Sequence, residues 1–232
     1  RAHRIVGKTD AHLYYGVSQA RHSGKLLDLD YLYRTMTYEG DAPFDFAAYY
    51  RNPMECEYTV TCCETGQAEY LSESVYQNRL VDIVKASCSL PGICAPVALD
   101  GKHYLDGGIG DSLPVFRAMS KGCEKVILVT TKVASDVHPT DYSRVRPLMS
   151  RLYKRRYPAF FAALMTRCKR YFAELDEILE LEKEGQILVI RPEVCNVKTL
   201  ERDAEAMQAF YEHGQAIGEA WLPKIRAYLS EE

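Results

Sequence analysis

An Asp-Gly pair, Asp100-Gly101, stands between two apolar runs and constrains the fold of this chain more than any other feature. A type I′ turn needs positive φ at both central residues, so Asp-Gly between apolar runs is a strong hairpin signal. The sequence therefore predicts that Val97–Leu99 and His103–Leu105 are paired antiparallel strands.

Asp106 follows the second predicted strand and is itself followed by Gly107 and Gly108. Alternation along a strand places Asp106 on the same face as Tyr104 and opposite to His103, which argues against a triad that uses this histidine. Two glycines let the backbone bend sharply and let another group approach the carboxylate closely, so Asp106 is a candidate catalytic residue. The alternative interpretation is an ordinary turn aspartate followed by turn glycines.

The block from Ala86 to Val115 has a characteristic order of parts. An apolar helix end leads into a Ser-Leu-Pro-Gly turn at 89–92, and then come the hairpin, the Asp-Gly-Gly corner and a helix started by Pro114. In order and spacing this block resembles the second active-site block of the patatin-like phospholipases, serine hydrolases that use a Ser/Asp dyad. In that family the motif reads Asp-Gly-Gly or Asp-Gly-Ala, and its Asp accepts the proton of the nucleophilic serine. The resemblance therefore implies this role for Asp106.

The same resemblance implies a layered α/β/α fold, and it covers about the carboxy-terminal two thirds of the family's domain. The family's Gly-rich oxyanion loop and its Gly-x-Ser-x-Gly elbow lie upstream of the matched region, and neither occurs in this sequence. The stretch from Gly16 to Ala20 is a poor match to the elbow, because the apolar run before it is short and Ala20 replaces the last glycine. We predict that Ser18 is an ordinary serine and that the nucleophile lies outside this chain, which alone has little or no hydrolase activity.

Two functions of different classes follow from these residues. In the first, the chain is part of a patatin-like serine acyl hydrolase that acts on a lipid or carboxylic ester, with Asp106 as proton acceptor. In the second, it is a non-catalytic lipid-surface or interaction module on the same scaffold. The presence of Asp106 with both glycines favours the hydrolase.

The composition excludes several other classes. The chain has 232 residues, 47% of them hydrophobic, which is enough to bury a sizeable core. A net charge of −3 and a pI near 6.1 argue against a nucleic-acid-binding protein. No run approaches the roughly eighteen apolar residues of a membrane span, so we expect a cytoplasmic protein with peripheral membrane contact at most. No targeting leader is recognised, although the first residue is Arg1 and not Met.

Cysteine and histidine usage predicts neither disulfides nor a metal site. No Cys-x-x-Cys pair occurs, and dispersed cysteines of this kind are typical of reduced thiols in an intracellular protein. The six histidines do not complete a zinc ligand set, so we expect no metal and no cofactor. No pattern in the sequence specifies an oligomeric state. The cysteines are Cys56, Cys62, Cys63, Cys88, Cys94, Cys123, Cys168 and Cys195.

Periodicity predicts a mixed α/β organisation in a single domain that spans residues 1–232. The predicted strands lie at 57–62, 68–71, 125–131 and 187–190, the last two of the buried kind found in parallel sheets. The predicted helices include 78–87, one that ends at Gly185, and a last one at 200–229 in which Pro223 marks a kink or break. Asp28 is a predicted helix N-cap, and Asp111 with Ser112 are predicted to cap the helix that contains Pro114 and ends at Gly122.

A basic and aromatic character marks residues 144–170. Such a surface suits an anionic lipid headgroup layer, with arginines as phosphate partners and aromatic rings at the interface. The alternative, which we favour at this point, is a solvated pair of helices with an ordinary packed face. The residues concerned are Arg144, Arg146, Arg151, Leu152, Tyr153, Lys154, Arg155, Arg156, Tyr157, Phe160, Phe161, Arg167, Lys169 and Arg170.

Overall fold

The computed structural model describes residues 16, 27–39, 43–73, 79–135, 138–198, 201 and 203–230. Helices and strands are mixed along the chain, which confirms the predicted α/β class. The chain divides into two compact units. Of the described residues, the larger unit takes those within 10–112 and 140–169, and the smaller unit takes those within 113–139 and 170–230.

The larger unit is built on a four-stranded antiparallel sheet with the order β2-β1-β4-β3. The strands are β1 (Glu57–Cys62), β2 (Ala68–Ser72), β3 (Val97–Leu99) and β4 (Lys102–Asp106). The first two form the predicted hairpin, with Tyr58 opposite Leu71. The unit's α-helices are α1 (Phe46–Arg51) and α2 (Leu80–Ser87), and a helical stretch at Tyr31–Thr35 and Met36–Tyr38 precedes them.

The β3–β4 hairpin has the predicted register and turn. Val97 pairs with Tyr104 and Leu99 with Lys102. The turn residues Asp100 and Gly101 have φ of 48° and 83°, the positive values that a type I′ turn requires. The local sequence was therefore sufficient to predict this hairpin.

Helical segments cover both faces of the four-stranded sheet, which gives the larger unit an α/β/α layering. On one face Val60, Tyr104 and Leu99 pack with Ile83 of α2. On the other face Leu105 packs with aromatic residues of a segment that follows residue 140. That segment contains a 3₁₀ turn (Tyr142–Val145), α3 (Arg146–Met149) and a π-helical turn (Ser150–Lys154), and then α4 (Pro158–Lys183) begins. Tyr104 and Leu105, successive residues of β4, thus pack on opposite faces of the sheet, as predicted.

The smaller unit contains the parallel pair β5 (Val126–Val129) and β6 (Ile187–Ile190). Val126, Ile187 and Val189 form its core with Ile178 of α4 and Val115 of a short helix at Val115–Ser120. The long helix α5 (Ala204–Ser230) contributes Tyr228, whose hydroxyl donates a hydrogen bond to the Gln186 carbonyl at 2.8 Å. Both predicted strands are therefore confirmed, although Val129 at the end of β5 is 70% exposed.

The predicted caps of one helix are wrong, and of the predicted kink or break at Pro223 the structure excludes the break. Asp111 and Ser112 do not cap the helix at Val115–Ser120, whose N-cap residue is Pro114. Asp111 instead accepts a hydrogen bond from the Tyr70 hydroxyl, and the Ser112 hydroxyl donates to the Gly108 carbonyl. Pro223 does not end the last helix, since α5 runs through it to Ser230. Along the described ranges, no helix combines the length and the apolar character needed to cross a membrane.

Candidate active site

Asp106 is the last residue of β4 and lies opposite Val60 in the centre of the sheet. Its backbone N–H donates a hydrogen bond of 2.9 Å to the carbonyl of Ser89. Ser89 starts the Ser-Leu-Pro-Gly turn, in which the Ile93 N–H bonds back to the Leu90 carbonyl and Gly92 has φ of 80°. These values fit the predicted type II turn, and the turn is tied directly to the backbone of Asp106.

Gly107 is needed for close packing and not for an unusual backbone conformation. Neither Gly107 nor Gly108 has a positive φ, so the turn at Gly107–Ile109 does not depend on the left-handed conformation that favours glycine. A Cβ on Gly107 would lie 2.1 Å from the carbonyl oxygen of Thr59, on the neighbouring strand β1. A Cβ on Gly108 would meet only side-chain atoms, of which the nearest is Oδ1 of Asp106 at 3.0 Å. A side chain at position 107 would therefore clash with the backbone of β1, whereas a small side chain at position 108 can be accommodated.

Thr61 of β1 holds the glycine corner in place. Its side chain is fully buried, and its hydroxyl donates to the Asp106 carbonyl at 2.7 Å. The same hydroxyl oxygen accepts the Gly110 N–H at 2.9 Å. One side chain therefore joins both ends of the short 3₁₀ turn at Gly107–Ile109 and fixes the direction in which Asp106 leaves the strand.

The carboxylate of Asp106 is largely buried and has one strong hydrogen bond. The Gly108 N–H donates to Oδ1 at 2.7 Å. Burial raises the pKa of the Asp106 carboxyl above its ordinary value of 3.8, while the Gly108 N–H and the positive charge of Arg167 act in the opposite direction. Since burial is the larger effect, the group is a stronger base than a solvated aspartate.

Weakly polar groups surround this carboxylate. Burial and the charge of Asp106 raise the pKa of Tyr142 to about 12. The pKa of Tyr33 is raised as well, by burial, by Cys88 and by Asp106. Burial raises the pKa of the Cys88 and Cys94 thiols, and the Asp106 charge adds to the effect. Four neutral hydroxyl or thiol groups are therefore within electrostatic reach of one carboxylate.

Arg167 belongs to this site and not to the solvated basic surface with which its sequence context grouped it. Its Nε donates to the Gly108 carbonyl at 2.6 Å, and its Nη1 donates to the Thr140 carbonyl at 3.0 Å. The Gly108 carbonyl also accepts from the Ser112 hydroxyl and the Gly108 N–H donates to Asp106, so this residue is held at both its N–H and its carbonyl. Arg167 is thus a positioning residue for the motif, separated from it by 59 positions in sequence.

The other candidates have structural roles. His103 lies on the opposite face of β4, as predicted, and its Nδ1 is 2.9 Å from a carboxylate oxygen of Glu64. Asp28 caps its helix by accepting the backbone N–H groups of Asp30 and Tyr31. Ser18 lies outside the described residues. All eight cysteines are free thiols. Within the described ranges, no group of three or more His, Cys, Asp or Glu side chains is placed to hold a metal ion.

A pocket of about 590 Å³ lies in the larger unit and shares Ser89 and Cys94 with the surroundings of Asp106. Its lining is mixed, with Leu27, Ile93 and Val97 among the apolar residues and Lys85 among the charged ones. This volume falls in the range of small-molecule sites in proteins.

Two regions of the chain match known protein families. Residues 17–119, which contain all four strands of the larger unit and the Asp106 corner, match the family described as patatin-like phospholipase. Residues 17–119 are a patatin-like phospholipase domain. The predicted family is thereby confirmed. Residues 157–230 match a second family, the domain of unknown function DUF6363, which follows the patatin-like domain in this chain.

Several curated proteins are similar to the chain. The uncharacterized protein YjjU of Escherichia coli is 32% identical over 109 residues, which are 47% of this chain and 30% of that protein. Lysophospholipase NTE1 of Kluyveromyces lactis is 27% identical over 178 residues, covering 71% of this chain and 12% of that protein. The corresponding protein of Scheffersomyces stipitis is 28% identical over 143 residues, covering 59% of this chain and 9% of that protein. The chain spans less than a third of the length of these relatives.

On the hypothesis that Asp106 accepts a proton during ester hydrolysis, we expect the substitution Arg167→Met to lower that activity at acidic pH. Removing the guanidinium charge takes away one influence that lowers the pKa of Asp106, so the carboxylate stays protonated to a higher pH. A proton acceptor works only when ionised, so the acid limb of the profile of kcat/KM against pH should move to higher pH. The measurement is that profile for an ester substrate, in a longer form of the protein that supplies the hypothesised serine.

Arg167→Lys is the control for this prediction. It keeps the positive charge and loses the two-carbonyl contact, so it should retain an acid limb close to that of the unchanged protein. A profile in which Arg167→Met lowers activity equally at every pH would contradict an electrostatic effect on Asp106.

Proposed function

We propose that this chain is part of a serine acyl hydrolase, a phospholipase or carboxylic ester hydrolase, in which Asp106 is the proton acceptor of a Ser/Asp dyad. The observation that carries the proposal is the buried carboxylate of Asp106, fixed by the Gly108 N–H and raised in pKa. A carboxylate with an ordinary pKa is a weak base toward an alcohol, and burial reduces the mismatch. The family of residues 17–119 and relatives named lysophospholipase support a lipid ester as substrate.

In the proposed mechanism the serine is supplied by a segment that this chain does not include. Its hydroxyl oxygen attacks the ester carbonyl carbon as its proton passes to Asp106. Collapse of the tetrahedral intermediate breaks the ester C–O bond, and the leaving alcohol takes the proton from Asp106. Water then attacks the acyl-serine ester, again giving a proton to Asp106, which returns it to the serine as the fatty acid leaves.

Oδ2 is the carboxylate oxygen proposed to take the proton. Oδ1 is engaged by the Gly108 N–H, and among the described residues no donor bonds to Oδ2. The corner formed by Gly107 and Gly108 keeps Oδ1 engaged and thereby sets the direction of Oδ2. Donors for the oxyanion come from the same upstream segment as the serine in this proposal.

Hydrolysis of a p-nitrophenyl ester tests the proposal, with the isolated chain compared with a longer form that includes the upstream segment. We expect little or no turnover by the chain and turnover by the longer form that a fluorophosphonate abolishes. Ser18→Ala in the longer form is the matched control and should keep full activity. Turnover by the isolated chain that Ser18→Ala abolishes would contradict the placement of the nucleophile upstream.

A further inference from the structure

Residues 144–156 of the larger unit form a strongly basic surface on a chain whose net charge is −3. This stretch contains six basic residues and no acidic one. All six basic residues are exposed to solvent. We call this the 144–156 surface, and its basic residues are Arg144, Arg146, Arg151, Lys154, Arg155 and Arg156.

Large apolar side chains are exposed between these basic residues. Val145, Leu148 and Leu152 are 44%, 51% and 45% exposed, and their spacing of three and four positions places them on one side of a helical segment. The adjoining side is packed, since Met149 and Tyr153, which directly follow the two leucines in sequence, are buried in the core beneath. The solvent-exposed side of the segment therefore carries both cationic and apolar side chains.

The positive charges of this surface are hardly neutralised within the protein. Arg144 is 3.5 Å from Asp141, and its side chain is 85% exposed. Arg156 lies over the ring of Tyr157. Among the described residues, no carboxylate lies within ion-pair distance of the other four basic side chains of the surface. A partner with negative charge is therefore complementary to it.

The buried side of the same segment contacts the candidate active site. The Gly92 N–H donates a hydrogen bond of 2.8 Å to the Tyr153 hydroxyl, and Met149 packs against Gly92. Gly92 belongs to the turn whose Ser89 carbonyl accepts the N–H of Asp106. Tyr142, just before this surface, is within electrostatic reach of Asp106. A partner bound to the 144–156 surface would thus lie close to the candidate active site.

We propose that the 144–156 surface docks the protein onto an anionic lipid bilayer. Arginine and lysine side chains would pair with lipid phosphate groups, while Val145, Leu148 and Leu152 enter the headgroup region. A nucleic acid or an acidic peptide would use the positive charges but not the exposed leucines. The exposed leucines therefore favour a lipid bilayer as the partner. The inference rests on the proposed function, because it specifies that the lipid ester substrate is presented to the enzyme in a bilayer.

Vesicle sedimentation of the full chain tests the inference without any turnover. We expect the chain to sediment with phosphatidylcholine vesicles that contain about 30 mol% phosphatidylserine and not with pure phosphatidylcholine vesicles. Arg151→Glu with Arg155→Glu should weaken the binding by at least about tenfold. Leu148→Ser with Leu152→Ser should weaken it severalfold at the same net charge.

Matched controls come from exposed residues elsewhere in the chain. Lys132→Glu with Arg226→Glu makes the same change in net charge, and Leu222→Ser with Leu229→Ser removes leucines of similar exposure. Both control pairs should keep the unchanged protein's binding. The inference is overturned if the chain does not sediment with anionic vesicles. It is also overturned if the control pairs lose as much binding as the test pairs, or if the Leu148 and Leu152 substitutions do not change binding.

The two proposals fail in different experiments. Loss of vesicle binding with intact hydrolysis of a soluble ester by the longer protein would overturn docking alone. Vesicle binding with the predicted variant pattern, in a longer protein that hydrolyses no ester, would support docking and contradict the proposed hydrolase.

Discussion

Asp106→Asn in the longer protein is expected to lower kcat/KM for an ester substrate by about 10³-fold or more. The amide keeps the shape of the side chain and can still accept the Gly108 N–H, but it cannot take a proton from a serine. The measurement is steady-state hydrolysis of a soluble p-nitrophenyl ester, which requires no vesicle surface. Full turnover by this variant would contradict the role of Asp106.

The same variant should fold at least as well as the unchanged protein at neutral pH. Burial raises the pKa of Asp106 in the folded state above its ordinary value of 3.8, so ionisation of this group opposes folding. That cost is absent at pH below 3.8, grows as the pH rises toward the raised value of the folded state and is constant above it. We expect Asp106→Asn to have an equal or higher Tm at pH 7 and a gap that closes toward pH 3. If Asp106→Asn instead has a lower Tm at pH 7, its loss of activity is explained by destabilisation and not by the loss of a proton acceptor.

Gly107→Ala is expected to destabilise the isolated chain by about 3 kcal/mol. The new Cβ would lie 2.1 Å from the Thr59 carbonyl oxygen, so one of the two backbones must move. Thr59 is fixed by its pairing with Tyr70 and by a hydrogen bond of 2.8 Å that its carbonyl accepts from the Ser87 hydroxyl. The measurement is the free energy of unfolding from denaturant titration.

Two further alanine substitutions make this prediction specific. Gly214→Ala in α5, where a Cβ meets nothing within 4 Å, should stabilise the chain by about 0.5 to 1 kcal/mol. Gly108→Ala should cost much less than Gly107→Ala, because its nearest neighbours are side-chain atoms that can shift. Equal losses for the two motif glycines would show that close approach to Thr59 is not the reason for glycine at position 107.

Local sequence was enough to predict the hairpin and the turn that frame the candidate site. Asp100 and Gly101 specify positive φ at two adjacent positions, and Pro91 with Gly92 specify the turn beside Asp106, because each depends only on residues within a few positions. The same holds for the alternation along β4 that separates His103 from Asp106.

The contacts that hold the site in place could not be predicted, because they join residues far apart in sequence. Thr61 and Arg167 reach the corner from 45 and 59 positions away, and neither residue type is unusual in its local context. Arg167 was grouped with surface arginines since composition cannot separate an arginine that bonds two carbonyls from a solvated one. The predicted capping role of Asp111 failed for the same reason, because its partner Tyr70 is 41 positions away. Ser112 differs, since it bonds the Gly108 carbonyl only four positions before it.

The most direct test of the central claim is to locate the fluorophosphonate adduct in the longer protein by mass spectrometry and to measure its rate of formation. We predict a single modified serine upstream of Arg1, labelled far more slowly in the Asp106→Asn variant. An adduct within residues 1–232, or a labelling rate unchanged by Asp106→Asn, would contradict it.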